Sequence, residues 1–194
     1  MTLFYFLVWG TFRVYYTVIG RKKVRGLENL PPKGTGGAII AANHMSLNDP
    51  PLIGASLTRH LNYMAKKELF DIPIIGWGLK NINAFPVNRE GADSSAIRKA
   101  LKLLRSGELL VMFPGGTRTR DREKSLEFKN GAGMISCMAQ VPVIPCLLQN
   151  TDRMKKLARV MVTFGKPVYP PAKYSKADYR ELTGRIIAEM KRLS

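Results

Sequence analysis

Short, near-continuous apolar runs, each bounded by turn residues, constrain this chain more than any other feature. "AIIAAN" (38–43), "LLVMF" (109–113) and "VPVIPCLL" (141–148) are the clearest. A run this short without alternation is buried on both faces, as a strand inside a parallel sheet is. "LNYMAKKEL" (61–69) and "AFPVNR" (84–89) begin the same way, and "RVMVTFG" (159–165) adds a further strand. Between them, "SSAIRKALKLLRSG" (94–107) carries Ile97, Leu101 and Leu104 at helical spacing. Asp93 or Ser94 is its start signal and Gly107 its stop. "GAGMISCMAQ" (131–140) and an amphipathic segment over 176–193 read as further helices, and the Pro/Gly-rich "ENLPPKGTGG" (28–37) as a linker or turn. The alternation predicts an α/β domain, a mixed, largely parallel sheet flanked by helices. In such sheets function gathers in loops beyond the strand C-terminal ends. A chain of 194 residues is long enough to bury a real core as one such domain.

The segment before the first of these strands is of another kind. "TLFYFLVWGTFRVYYTVIG" (2–20) is predominantly apolar and holds seven aromatic residues. As a helix it would extend roughly 28 Å, near the hydrocarbon thickness of a bilayer. Arg13 sits in its middle, where a lone arginine costs about 3 kcal/mol unless it snorkels or finds a partner. Spanning the bilayer and lying in its interface both fit, and the aromatic content suits the interface. A core helix is the alternative. No basic n-region and no A-x-A-like site is present, which argues against a signal peptide. "RKKVR" (21–25) follows directly and would hold the rest of the chain on the cytoplasmic side. The expected organisation is a membrane-associated N-terminal helix with a basic flank, 1–25, and a second domain, 26–194, at the cytoplasmic face of the cell membrane.

Charge narrows the partners. Lys and Arg number 31 against 14 Asp and Glu, a net charge of +17, which favours nucleic acid, an anionic membrane or phosphorylated substrates. A nucleic-acid module needs exposed aromatics interleaved with basic residues on one surface. Here the aromatics crowd the apolar N-terminus, so nucleic acid ranks last and is not expected as a partner. Cys137 and Cys146 sit in apolar surroundings without metal-ligand spacing, and neither His44 nor His60 has a cysteine nearby. They read as two buried thiols in a reducing compartment, and no metal site is expected.

"AANHMSLNDPP" (41–51) puts a histidine straight after a strand and an aspartate five residues on. On one continuous helix His44 and Asp49 would stand about 140° apart. Pro50-Pro51 instead suits the first turn of a new helix with Asp49 at its N-cap. If "MSLN" forms a turn, the carboxylate folds back onto the imidazole, keeps one ring nitrogen as N–H and leaves the other to take a proton. A strand-end histidine beside a capping aspartate also needs no chemistry at all. There is no G-x-S-x-G elbow, neither cysteine has a local partner, and Ser46 is a commonplace turn serine. The economical reading is a base acting directly on a substrate hydroxyl.

"FPGGTRTRDREKSLEFKNGAG" (113–133) also follows a strand. Gly115 and Gly116 let the backbone turn sharply and present N–H groups to an anion, and Arg118 and Arg120 add guanidinium forks. P-loop spacing is absent, and a solvated basic loop is the competing reading. Arg89 in "FPVNRE" and Lys66 and Lys67 in "AKKEL" again lie at strand ends. Converging basic loops near a His–Asp pair describe a site for a phosphorylated alcohol.

These residues match a known pattern in four blocks. "NHMSLND" carries N-H-x-x-x-x-D. "KKELFDIPIIGWGLKNINAFPVNRE" resembles the second block of the glycerolipid acyltransferases, K-x-E-L … P-x-x-G … F-x-x-x-R. "FPGGTRTR" resembles the third, F-P-E-G-T-R-S, and "VPVIPC" the fourth. Order and separations also match, over residues 38–148. The chain most resembles the bacterial lysophosphatidate (1-acylglycerol-3-phosphate) acyltransferases. The resemblance implies transfer of an acyl chain from acyl-CoA or acyl carrier protein to the free hydroxyl of lysophosphatidate, giving phosphatidate, with no metal or bound cofactor. It implies His44 as general base with Asp49 orienting it, and Arg89 and Arg118 on the glycerol phosphate. Lys66 and Gly116 would shape that end of the pocket. Oxyanion donors are sought among the backbone amides of Gly115–Thr117 or around Pro142–Val143. Two positions depart from the pattern. Gly115 stands where the family has glutamate, which bears on the phosphate network, and Asn88 where aspartate is common. Glu68 or Glu123 is the proposed substitute carboxylate. The other acceptors in view are glycerol-3-phosphate and another lysophospholipid. The reading from another class is a catalytically silent, membrane-bound lipid-binding protein.

Overall fold

The structure, a computed structural model, describes residues 3–88, 91, 93–154 and 158–194. Its strands in chain order are β1 (Lys23–Arg25), β2 (Ala38–Ala42), β3 (Leu61–Lys66), β4 (Ala84–Val87), β5 (Leu109–Met112), β6 (Val143–Gln149) and β7 (Met161–Phe164). They form one sheet in the order β1-β7-β6-β2-β5-β3-β4. Every neighbouring pair is parallel except β6 and β7, which run antiparallel. The central strand β2 is buried along its whole length. Ala38, Ile40 and Ala42 join the core on one face of the sheet, and Ile39 and Ala41 the core on the other. That two-sided burial is the physical reason its sequence is apolar without alternation.

Helices α1 (Leu3–Val18), α2 (Asp49–Ser56) and α3 (Pro73–Asn81) cover the first face, α4 (Ser94–Arg105), α5 (Gly131–Ala139) and α6 (Lys176–Lys191) the second. α4 begins where Asp93 accepts hydrogen bonds from the amides of Ser95 and Ala96, at 3.1 and 3.0 Å. Gly107, at φ 85°, takes the left-handed turn beyond its end. The edge strand β1 and the helix α3 have no counterpart in the sequence reading.

α1 is 16 residues long, and among the described residues no helix is long and apolar enough to cross a membrane. One side of α1 is core. Tyr16 is fully buried, and the Trp9 ring stacks on Tyr63 at 6.4 Å and lies over Gly54 of α2. Arg13 has found a partner: its Nη2 donates to the Leu57 carbonyl at 2.8 Å, while Lys22 Nζ donates to the Ala55 carbonyl at 2.6 Å. Both cations therefore sit on the negative C-terminal end of α2. Burial, with Arg13 nearby, lowers the Lys22 ammonium below its ordinary range. The other side of α1 presents Leu7, Val14 and Val18 to the exterior.

The topology places a crevice. From β2 the chain crosses through α2 on the first face to β3, whereas from the adjacent β5 it crosses through α5 on the second face to β6. Neighbouring strands whose connections part to opposite faces leave an opening beyond their C-terminal ends, where α/β proteins bind ligands. Residues 43–48 and 113–123 leave the sheet at that opening.

Candidate active site

Asn43 fixes the point where the chain leaves β2. Its buried amide pairs with the backbone of Leu148, donating to the carbonyl at 3.0 Å and accepting from the N–H at 2.7 Å, so a side chain continues the ladder to β6. His44 follows. Its Nδ1 lies 2.8 Å from Asp49 Oδ2, and Phe113, at the end of β5, stacks on the imidazole with centroids 4.2 Å apart.

Asp49 is 0% exposed, and the same Oδ2 accepts the amides of Met45 and Ser46, each at 2.7 Å. Asp49 is thus not the N-cap expected from sequence. Asn48 takes that place and Asp49 is the first helical residue, its carboxylate turned back into the 44–48 loop. The first turn of the helix and the two loop amides thus converge on this one carboxylate. An ionised carboxylate only accepts, so Nδ1 carries the imidazole proton and Nε2 keeps its lone pair. Cys146 is buried beneath this turn, and burial, with Asp49 adding to it, pushes its thiol well up. Cys137 is buried too, on the other face of the sheet.

Two residues outside the sequence-derived set hold the turn. Asn48 Nδ2 donates to Ser46 Oγ at 3.2 Å and to the Thr151 carbonyl at 3.4 Å. Tyr16 Oη donates to Asn48 Oδ1 at 3.2 Å, so α1 reaches the loop that carries His44. Ser46 is a turn acceptor. A tyrosine inside a predominantly apolar run gave no signal of this role.

Beside the turn lies a cavity of about 470 Å³, lined by Met45–Asn48, Arg118, Thr119, Arg120, Thr151, Asp152 and Met154. The Thr119 amide donates to the His44 carbonyl at 3.0 Å, tying the arginine loop to the histidine. Arg118 and Thr117 are exposed. Gly116 has φ 79°, a turn that an L side chain rarely adopts, and its amide donates to the Phe113 carbonyl at 3.0 Å. The amides of Gly115 and Thr117 donate to no acceptor among the described residues. The backbone of Pro142–Val143 offers no free N–H to an oxyanion. Proline has no N–H, the Val143 amide donates to Val168, and Val143 pairs with Ile39 near the far end of β2.

Gly115 does not need a left-handed backbone, and a Cβ there would meet only the Glu127 carbonyl oxygen, at 3.3 Å. Lys66 ends β3 at the same edge of the sheet and pairs with Glu68 at 2.9 Å, both side chains about half exposed. Glu123 precedes a 3₁₀ turn over Lys124–Leu126, and its amide donates to Asp121. Arg89 lies outside the described residues. Among the described residues no group of three or more His, Cys, Asp or Glu side chains could hold a metal ion.

A buried carboxylate fixes an imidazole at a crevice with exposed arginines beside it, an arrangement chemically able to take a proton next to an anion. Residues 21–149 match the family model described as Acyltransferase, and the chain belongs to that family. It is 34% identical over 177 residues to the 1-acyl-sn-glycerol-3-phosphate acyltransferase of Bacillus subtilis (strain 168), a match covering 89% of this chain and 83% of that protein. Identity to the Streptococcus pneumoniae enzyme of the same description is 36% over 135 residues, 67% of this chain and 49% of that one. The crystal structure of the 1-acyl-sn-glycerophosphate (LPA) acyltransferase, PlsC, from Thermotoga maritima superposes with a TM-score of 0.72 at 26% identity. That match covers 98% of this chain and 80% of the other.

Proposed function

We propose that this acyltransferase moves a fatty acyl chain from acyl-CoA or acyl carrier protein to the free hydroxyl of 1-acylglycerol-3-phosphate, giving phosphatidate, at the cytoplasmic face of the membrane. The observation that carries the reading is the His44 imidazole, held by Asp49 through Nδ1 and with no hydrogen-bond partner at Nε2 among the described residues, next to a turn that lines a cavity with Arg118 and Arg120. The acceptor hydroxyl gives its proton to Nε2 as its oxygen attacks the thioester carbonyl. The amides of Gly115 and Thr117 are the oxyanion donors of this scheme. Collapse breaks the C–S bond, and the imidazolium returns the proton to the departing thiolate. A thioester is already activated, so no step needs a metal or a bound cofactor. Arg118, with Arg89 and Lys66, takes the acceptor phosphate. The outward apolar side of α1, followed by the basic Arg21–Arg25, lies in the membrane interface rather than across it.

Acceptor choice tests the substrate. The detergent-purified chain is given an acyl-CoA with 1-acylglycerol-3-phosphate, glycerol-3-phosphate or lysophosphatidylcholine. Turnover at least tenfold faster on the first is expected, and equal or faster turnover on either of the others would overturn the assignment. Gly115 favours a second reading, a silent lipid-binding protein. No turnover with any acceptor, from either acyl donor, would establish it.

A further inference from the structure

The large apolar side chains left exposed are unevenly placed. Among the described residues, α4, α5 and α6 present none of them, and the outer face of α4 carries Arg98, Lys99, Lys102 and Arg105. On the opposite face of the sheet, α1 exposes Val14 and Val18, and the segment of α3 exposes Ile72, Ile74, Ile75 and Trp77. Ile74 is 84% and Trp77 57% exposed. They stand three residues apart, on one side of the helix.

The outward aim of these two side chains is fixed from beneath. Gly76 lies so close to the Phe70 carbonyl that a Cβ would meet it at 2.3 Å, and Leu79 and Ile82 pack into the core. The helix therefore cannot roll inward to hide Ile74 and Trp77. Lys67 and Lys80 bracket the helix and are exposed. Asp71 and Glu68 share its approach, with Glu68 paired to Lys66. α3 follows the C-terminal end of β3, so it lies at the same edge of the sheet as His44. Leu47, in the turn between His44 and Asp49, is 74% exposed there as well.

We propose that α3 is a second membrane-inserting element, seating Ile74 and Trp77 among the acyl chains of an anionic leaflet while Lys67 and Lys80 meet lipid phosphates. The occupant of this face is a lipid surface because the flanking and overall charge is basic, and because an isoleucine–tryptophan face edged by lysines is the composition of an interfacial helix. α1 and α3, on one face of the sheet, then dock the molecule at two points, and the second holds the crevice edge against the leaflet. The inference rests on the membrane reading above.

The chain has two tryptophans, one buried at position 9 and one exposed at position 77. In the full chain carrying Trp9→Phe, vesicles of phosphatidylglycerol and phosphatidylcholine with brominated acyl chains are expected to shift Trp77 emission to the blue and quench it. Chain bound to the vesicles with Trp77 unquenched would overturn the proposal while leaving attachment through α1 intact. A natural chain that binds no vesicles would overturn both. Should Trp9→Phe not fold, Ile74→Asp in the natural chain gives the same decision. Roughly tenfold weaker vesicle partitioning is expected, with turnover on detergent-dispersed acceptor unchanged. Unchanged partitioning would refute the proposal. It would mark a self-association surface if the variant also turned a dimer into a monomer.

Discussion

Replacing Asp49 by asparagine tests the His–Asp pair at its least accessible member. In the natural site one oxygen, Oδ2, accepts His44 Nδ1–H at 2.8 Å and two amides at 2.7 Å, and Oδ1 has no hydrogen-bond partner among the described residues. An asparagine oxygen can keep the two amide bonds, but its NH₂ then occupies the partnerless position as an unsatisfied buried donor. That costs about 1–3 kcal/mol of stability. The larger effect is on turnover. When Nε2 takes the hydroxyl proton, the imidazolium loses a carboxylate at hydrogen-bond distance, a charge-assisted contact worth about 3–4 kcal/mol at an effective dielectric near 20. That corresponds to a fall of roughly 10²–10³-fold in kcat. Asp49 is buried behind His44, so the acceptor KM is expected to stay within about threefold. Steady-state assays over acceptor concentration at saturating acyl-CoA separate the two constants, with thermal unfolding as the control for folding. A folded variant with kcat within threefold of the natural protein would refute the orienting role, and so would a loss confined to KM.

The glycine loop should divide by backbone angle. Gly115→Glu is expected to fold with little change in Tm, because its Cβ needs only a small adjustment of the Glu127 carbonyl. Gly116→Ala, forced to φ 79°, should lose about 1–2 kcal/mol by thermal unfolding. Gly54→Ala places a Cβ 2.1 Å from the Trp9 ring, so it should push α1 off α2, destabilise the fold by about 1–3 kcal/mol and shift tryptophan emission. The amide of Asn88, the hydroxyl of Ser95 and the amide of Ala96 hold the Asp93 carboxyl well below the usual carboxylate range. The unfolded chain therefore binds that proton more readily. The stabilisation from Asp93 is whole above the ordinary carboxylate value and fades as pH falls below it. The gap in Tm between the natural chain and Asp93→Ala should narrow as pH drops from about 5 to 3, and a gap that widened would be contrary to this.

What the sequence made legible follows from how much of each element is buried. β2, β5 and β6 are covered on both faces, so their apolar runs declare them, and α4 declares itself by Asp93 and Gly107. β1 is an edge strand of three residues with mostly exposed side chains, and nothing in "KVR" distinguishes it from a loop. α3 escaped because its largest apolar residues point away from the core, so no core-facing period marks it. In α1 large apolar residues fall on every side, and periodicity could not separate Trp9 and Tyr16, which face the core, from Val14 and Val18, which do not. Arg13, an apparent obstacle to burial, is satisfied by a carbonyl 44 residues away in sequence. At the site, the spacing of His44 and Asp49 and the glycine–arginine loop were readable. The amides converging on Asp49 Oδ2, the Asn43–Leu148 pair and the Tyr16–Asn48 contact are products of folding that leave no local pattern. The antiparallel turn of β7 onto β6 is likewise set by tertiary packing.

The most direct measurement is acyl transfer from an acyl-CoA to 1-acylglycerol-3-phosphate by the detergent-purified natural chain and by His44→Ala, side by side, with thermal unfolding of both. Phosphatidate is expected from the natural chain, with a loss of about 10³-fold or more in the folded variant. Comparable turnover by the two proteins would contradict His44 as the base.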